Sequence, residues 1–127
     1  DWWRIPLDYP YQIHIRDSFE QGHFEKYDPS TLVAEAKGDV LIPEIIAFAE
    51  NDKYWLFKSK KAFFLFDITT QKVQQIDSEK EFLKLLSQQK LPLPVWKNLA
   101  VLYKDRWNQI IKIYQSFDRG FYRQCRC

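Results

Sequence analysis

Residues 45–66 contain three apolar runs, Ile45-Ile46-Ala47-Phe48, Tyr54-Trp55-Leu56-Phe57 and Phe63-Phe64-Leu65-Phe66. Their aromatic and β-branched composition is typical of strands. The intervening Glu50-Asn51-Asp52 and Ser59-Lys60-Lys61 are short enough to be hairpin connections. This stretch therefore predicts an antiparallel β-meander.

Both faces of the predicted meander are apolar. Tyr54 and Leu56 point to one face and Trp55 and Phe57 to the other, because side chains alternate along a strand. A sheet with one face in water shows a cleaner alternation of polar and apolar residues. We therefore expect helices on one face, and the N-terminal segment, a second layer or a partner protein on the other.

Weaker strand signals lie on either side of the meander. Residues 72–76 resemble an edge strand, Tyr11, Ile13 and Ile15 alternate with polar neighbours, and residues 17–27 are consistent with a further strand. Together these segments predict a sheet of four to six strands. Residues 1–10 are apolar for a terminus, and we expect them to dock on the domain.

Two helices are predicted after the sheet. Ser78 followed by Glu81 fits a capping box that opens a helix over residues 79–89. Apolar residues at three- and four-residue intervals predict a long amphipathic helix over residues 95–118. The expected fold is α+β: an antiparallel β-meander sheet packed by a short capped helix and a long C-terminal amphipathic helix.

Composition describes one folded domain over residues 1–127. Hydrophobic residues make up 46% of the chain and aromatic residues 17%, which is enough for a core without disulfide or metal staples. Charge is unevenly distributed, because residues 1–50 carry four basic and ten acidic residues, whereas residues 51–127 carry fifteen basic and seven acidic ones. Such asymmetry marks either complementary halves of one domain or a surface for a charged partner.

The two ends of the sequence suggest a compartment. Methionine is absent, so we expect a removed segment before Asp1, and a secretory or lipoprotein signal there would place the protein in the periplasm or anchor it to a membrane through a lipid. The alternative location is the cytoplasm. Residues 119–127 form a basic tail in which Cys125 and Cys127 are too close together to link distant parts of the fold.

No catalytic or cofactor motif is recognisable. Three glycines in the whole chain argue against a glycine-rich phosphate loop. His14 and His23 lie near acidic residues, but their spacing matches no standard metal-ligand motif. The sequence therefore predicts no cofactor, no metal site and no enzymatic activity, with an unrecognised carboxylate or histidine site as an open alternative.

Two candidate surfaces remain. The apolar surplus predicts a protein-binding surface composed of Trp2, Trp3, Tyr54, Trp55, Phe57 and Phe64. A basic surface that could serve nucleic acid, the alternative partner, would contain Lys58, Lys60, Lys61, Lys104, Arg106 and Lys112.

Residues 44–86, with the pattern EIIAF, DKYWLFK, FFLFD and SEKEF, form a strand-hairpin-helix module. This module resembles those of small uncharacterised bacterial lipoproteins and of toxin-neutralising immunity proteins. The opening WWRIPL and YPY are similar to the start of such mature lipoproteins. The resemblance implies a non-enzymatic accessory role in the cell envelope, with a toxin or an envelope component as the protein partner.

Overall fold

The computed structural model describes residues 3–27 and 38–116. Within these ranges the chain forms eight strands and three helices. In chain order these are β1 (Trp3–Pro6), β2 (Tyr11–Ile15), β3 (Gly22–Tyr27), β4 (Gly38–Glu50), β5 (Tyr54–Ser59), β6 (Phe63–Asp67), β7 (Val73–Ile76), α1 (Glu79–Gln88), β8 (Lys97–Asn98), α2 (Leu99–Asp105) and α3 (Trp107–Ser116).

All eight strands belong to one antiparallel sheet. Seven of them are neighbours in chain order, from β1 to β7, and the two-residue β8 pairs with β4. The predicted antiparallel meander is confirmed, but the expected number of four to six strands is too low. The additional strands are short or lack clear polar alternation, so their pairing depends on neighbours that are distant in sequence.

The hairpin turns of the meander are stabilised by polar side chains. Asn51 Oδ1 accepts hydrogen bonds from the backbone N–H groups of Lys53 and Tyr54. Ser59 Oγ and Asp67 Oδ1 make the equivalent bonds in the next two turns. Asn, Ser and Asp favour turns through these local bonds, and here they fix where each strand ends.

The sheet coils so strongly that distant strands pack against each other. The rings of Tyr11 on β2 and Phe66 on β6 lie 4.9 Å apart, although four strand spacings in a flat sheet would separate them by about 19 Å. Trp55 and Phe57 of β5 meet Phe24 of β3 in the same cluster. The inner face of the meander is therefore covered by the first three strands of the same sheet.

Helix α1 covers the outer face of the meander. Its N-terminal cap is Ser78, whose Oγ accepts the N–H of Glu81, so the predicted capped helix is confirmed. Phe82 and Leu86 project from α1 into a second core with Tyr54, Leu56 and Leu65. Both apolar faces are thus buried within the molecule.

The predicted long helix over residues 95–118 is wrong. The chain first pairs Lys97 and Asn98 with β4, and Asn98 Oδ1 then caps α2 by accepting the N–H of Val101. Arg106 ends α2 with a non-helical backbone and forms an ion pair with Glu50. Because α2 lies against β4 and α3 against β1, the helical pattern is divided between two packing sites. No helix in the described ranges is long and apolar enough to cross a membrane.

Candidate functional site

The most exposed apolar side chains lie in the segment between α1 and β8. We call residues 91–96 the strap. Leu93 is 74% exposed and Val95 78%, and these are the highest values among the large hydrophobic residues of the described chain. Apolar side chains in water have a free-energy cost that binding can relieve.

The beginning of the strap is fixed by the end of α1. Lys90 adopts a left-handed backbone with φ of 57° and donates its N–H to Ser87 O, while the N–H of Leu91 bonds to Leu86 O. This pair of bonds is a Schellman motif, which normally accompanies contact between the flanking apolar residues. Leu91 does pack against the second core, which contains Leu86.

The end of the strap is fixed by Trp96. Its ring packs against Phe82 at 5.9 Å and Phe63 at 6.2 Å, and the Lys58 ammonium lies 5.7 Å from its centre. The strap is therefore attached at both ends, and Leu93 and Val95 project from its middle.

Helix α2 extends this exposed region. Lys97, directly after the strap, forms an ion pair with Asp105 in the last turn of α2 at 2.5 Å, which brings the two segments together. Val101 on α2 and Trp107, the first residue of α3, are 43% and 47% exposed. We call Leu93, Val95, Val101 and Trp107 the apolar surface.

Four of the six residues that the sequence predicts for a protein-binding surface lie in the core of the structure. Tyr54, Trp55, Phe57 and Phe64 are all buried in the two cores, because the coiled sheet covers one face and α1 the other. Trp3 is half-buried beside Phe19, and Trp2 lies outside the described residues.

The predicted basic residues do not converge on one position. Lys58 is half-buried over the rings of Phe63 and Trp96, while Lys60 and Lys61 line a hollow of about 240 Å³ at the β5–β6 turn. Arg106 pairs with Glu50, which lies opposite Trp55 in the β4–β5 pair, whereas the β5–β6 turn begins at Ser59. Trp55 and Ser59 are about 13 Å apart along β5, so Arg106 lies at the other end of this strand from Lys60 and Lys61. Lys104 is exposed on α2, and Lys112 lies in α3. A nucleic-acid site composed of these residues stays a prediction from the sequence.

The two histidines face each other across β2 and β3 and line a polar cleft of about 450 Å³. His14 is buried, and its Nδ1 lies 3.5 Å from Glu25 Oε1, which also accepts a hydrogen bond from Gln12 Nε2 at 2.7 Å. Gly22 allows this close strand approach, because a Cβ there would lie 3.0 Å from the side chains of Ile13 and Ile15. The cleft holds acidic, basic and hydroxyl groups beside the histidines.

The cleft does not have the form of a metal site. His23 Nδ1 accepts the backbone N–H of Glu44 at 3.2 Å, so the lone pair of this nitrogen is already engaged within the protein. Within residues 3–27 and 38–116, no group of three or more potential ligands is arranged to hold a metal ion. Cys125 and Cys127 lie outside these ranges.

A comparison of the chain with protein-family models, with curated proteins and with solved structures finds no significant match.

Proposed function

We propose that this chain is a non-enzymatic protein-binding protein. One observation carries the proposal: four of the seven exposed large hydrophobic residues in the described ranges fall between residues 93 and 107. The apolar side chains of the meander are buried in the two cores, so these four exposed residues are not part of either core. A concentration of exposed apolar side chains on a folded domain is typical of an interaction site.

The surroundings of the apolar surface suggest the chemistry of the partner. Lys90 and Lys104 are exposed on or beside the same segments, whereas Lys97 is paired with Asp105. Protein interfaces commonly have an apolar centre and a charged rim, and opposite charge on the partner increases the association rate. The partner is therefore a protein with an apolar site and an acidic margin.

The proposed setting is the bacterial cell envelope, where the chain would act as an accessory or toxin-neutralising immunity-type protein. Support comes from the resemblance of residues 44–86 to lipoprotein and immunity-protein modules.

Capture from an envelope fraction of the source organism tests the proposal. The immobilised chain is compared with Val101→Asp/Trp107→Asp and with Val73→Asp, a control at a similarly exposed apolar residue on edge strand β7. We expect one partner to bind the wild-type and control proteins and to be lost with the double variant, since a carboxylate disfavours an apolar interface. Equal capture by all three proteins, or no saturable capture, would contradict the proposal.

The histidine cleft favours a second candidate, a small enzyme. A histidine held by a buried carboxylate, in a cleft large enough for a small molecule, is an arrangement that general acid–base catalysis uses. Ester, phosphate and glycoside substrates offered to the wild-type protein and to His14→Gln would test it. Turnover that disappears in a folded His14→Gln protein would support an enzyme, and equal background rates would remove the candidate.

A further inference from the structure

The strap has a backbone conformation that its covalent structure largely determines. Pro92 and Pro94 each restrict their own φ to about −65°. Each also disfavours the helical region for the residue before it, here Leu91 and Leu93. Four consecutive residues are thereby biased towards polyproline II or extended geometry, and the segment carries no helix or strand.

The burial pattern of residues 91–95, the strap without Trp96, matches the three-residue period of polyproline II. Leu91 and Pro94, three residues apart, are both half-buried against the molecule, whereas Pro92 and Val95 are both exposed. Leu93 is exposed on the third edge, and Trp96 at the end of that edge turns inward to Phe82. Over residues 91–95 one edge therefore contacts the domain and the other two, with Pro92, Leu93 and Val95, are exposed, whereas Trp96 departs from this pattern.

The strap backbone is also open to a partner. Within the described ranges, neither Leu93 nor Val95 takes part in a hydrogen bond, and the prolines have no N–H to donate. A polyproline II segment has no internal hydrogen bonds, so its carbonyl groups accept bonds from a binding groove. Because the Schellman motif and Trp96 hold the two ends of the strap, few rotatable bonds lose freedom on binding, and the entropic cost of binding is small.

We propose that residues 91–95 form a preformed polyproline II ligand, read by a partner protein through an aromatic-lined groove with an acidic residue at the end that meets Lys90. Aromatic-lined grooves bind proline-containing segments in this way because the polyproline II conformation exists before binding. Lys90 supplies positive charge at the start of the segment, whereas Lys97 at its other end is paired with Asp105. This inference rests on the proposed protein-binding function and specifies its partner.

The test measures the affinity of the captured and purified partner for full-length variants. Leu93→Asp/Val95→Asp removes the exposed edges, and we expect at least about a hundredfold weaker binding. Pro92→Gly/Pro94→Gly keeps the side chains of Leu93 and Val95 but removes the restriction on the backbone. We expect about tenfold weaker binding, because the unbound strap gains conformational entropy that binding must remove. Lys90→Glu should weaken binding about threefold at low salt and less at high salt. Val73→Asp is the control, and thermal unfolding verifies that each variant is folded.

The outcomes separate this inference from the proposed function. If Val101→Asp/Trp107→Asp prevents binding while both strap variants bind normally, the protein-binding function stands and the strap proposal is overturned. If the glycine variant alone binds normally, the side chains matter but the polyproline II conformation does not, which also overturns it. Light scattering that shows a wild-type dimer dissociated by Leu93→Asp/Val95→Asp would assign the strap to a second copy of this chain instead.

Discussion

The meander over residues 45–66 and the strap over residues 91–96 have similar apolar composition and opposite positions in the molecule. Strand residues such as Phe57 and Leu65 can pair their backbone groups with neighbouring strands, so their side chains are buried without unsatisfied polar atoms. The prolines of the strap remove two donors and prevent such pairing. Backbone hydrogen bonding, together with hydrophobicity, therefore decides which apolar segment is buried in the core and which stays on the surface.

Phe57→Ala gives the largest expected loss of stability, because Phe57 is fully buried and stacks on Phe24 at 4.4 Å. We expect the free energy of unfolding to fall by about 3–5 kcal/mol, measured by denaturant titration. A loss below about 1 kcal/mol would mean that the inner face of the meander is not a packed core.

The pair Leu86→Ala and Leu93→Ala compares the two regions with the same substitution. Leu86 is 1% exposed in the second core, so its truncation should cost about 2–4 kcal/mol. Leu93 is 74% exposed, and its truncation should change stability by less than about 0.5 kcal/mol. Similar losses at both positions would remove the distinction between core and strap.

Ser78→Ala tests how α1 is held over the second core. Loss of the hydrogen bond from the Glu81 N–H to Ser78 Oγ should cost about 1 kcal/mol in unfolding free energy. Ser87→Ala, in the last turn of the same helix, is the control and should have less effect. An equal loss at both serines would argue against a specific cap.

Tyr11→Phe should have its characteristic effect only at alkaline pH. Burial raises the pKa of the Tyr11 phenol above its usual value near 10. The folded state therefore holds this proton more tightly, and the associated stability is complete below pH 10 and lost as pH rises through the folded pKa. Denaturation midpoints from pH 8 to 11 should decline more steeply for wild type than for Tyr11→Phe. Parallel declines would contradict burial of the hydroxyl.

Local signals explain what the sequence analysis predicted well. The Ser78–Glu81 spacing located α1, and the apolar runs with polar turns located β4 to β6. The division of the last helical segment had no such signal, because no glycine or proline stands near Arg106. The residue at the break, Arg106, forms an ion pair with Glu50, which is 56 residues away in sequence.

The candidate site was less predictable. Aromatic runs such as Tyr54 to Phe57 suggested a surface, but the coiling that buries them arises from contacts between β2 and β6. The strap carries neither a helix nor a strand pattern in the sequence. Pro92-Leu93-Pro94 was the available signal, since it fixes an extended backbone whose exposure depends on where Leu91 and Trp96 are attached.

Oxidative footprinting of the folded protein by mass spectrometry tests the central claim most directly. Trp107, Leu93 and Val95 should be modified rapidly, whereas Trp55, Phe57 and Phe64 should be protected until the protein is unfolded. Rapid modification of Trp55 or Phe64 in the folded state, with protection of Trp107 and Leu93, would contradict the assignment of the meander to the core and of residues 93–107 to the binding surface.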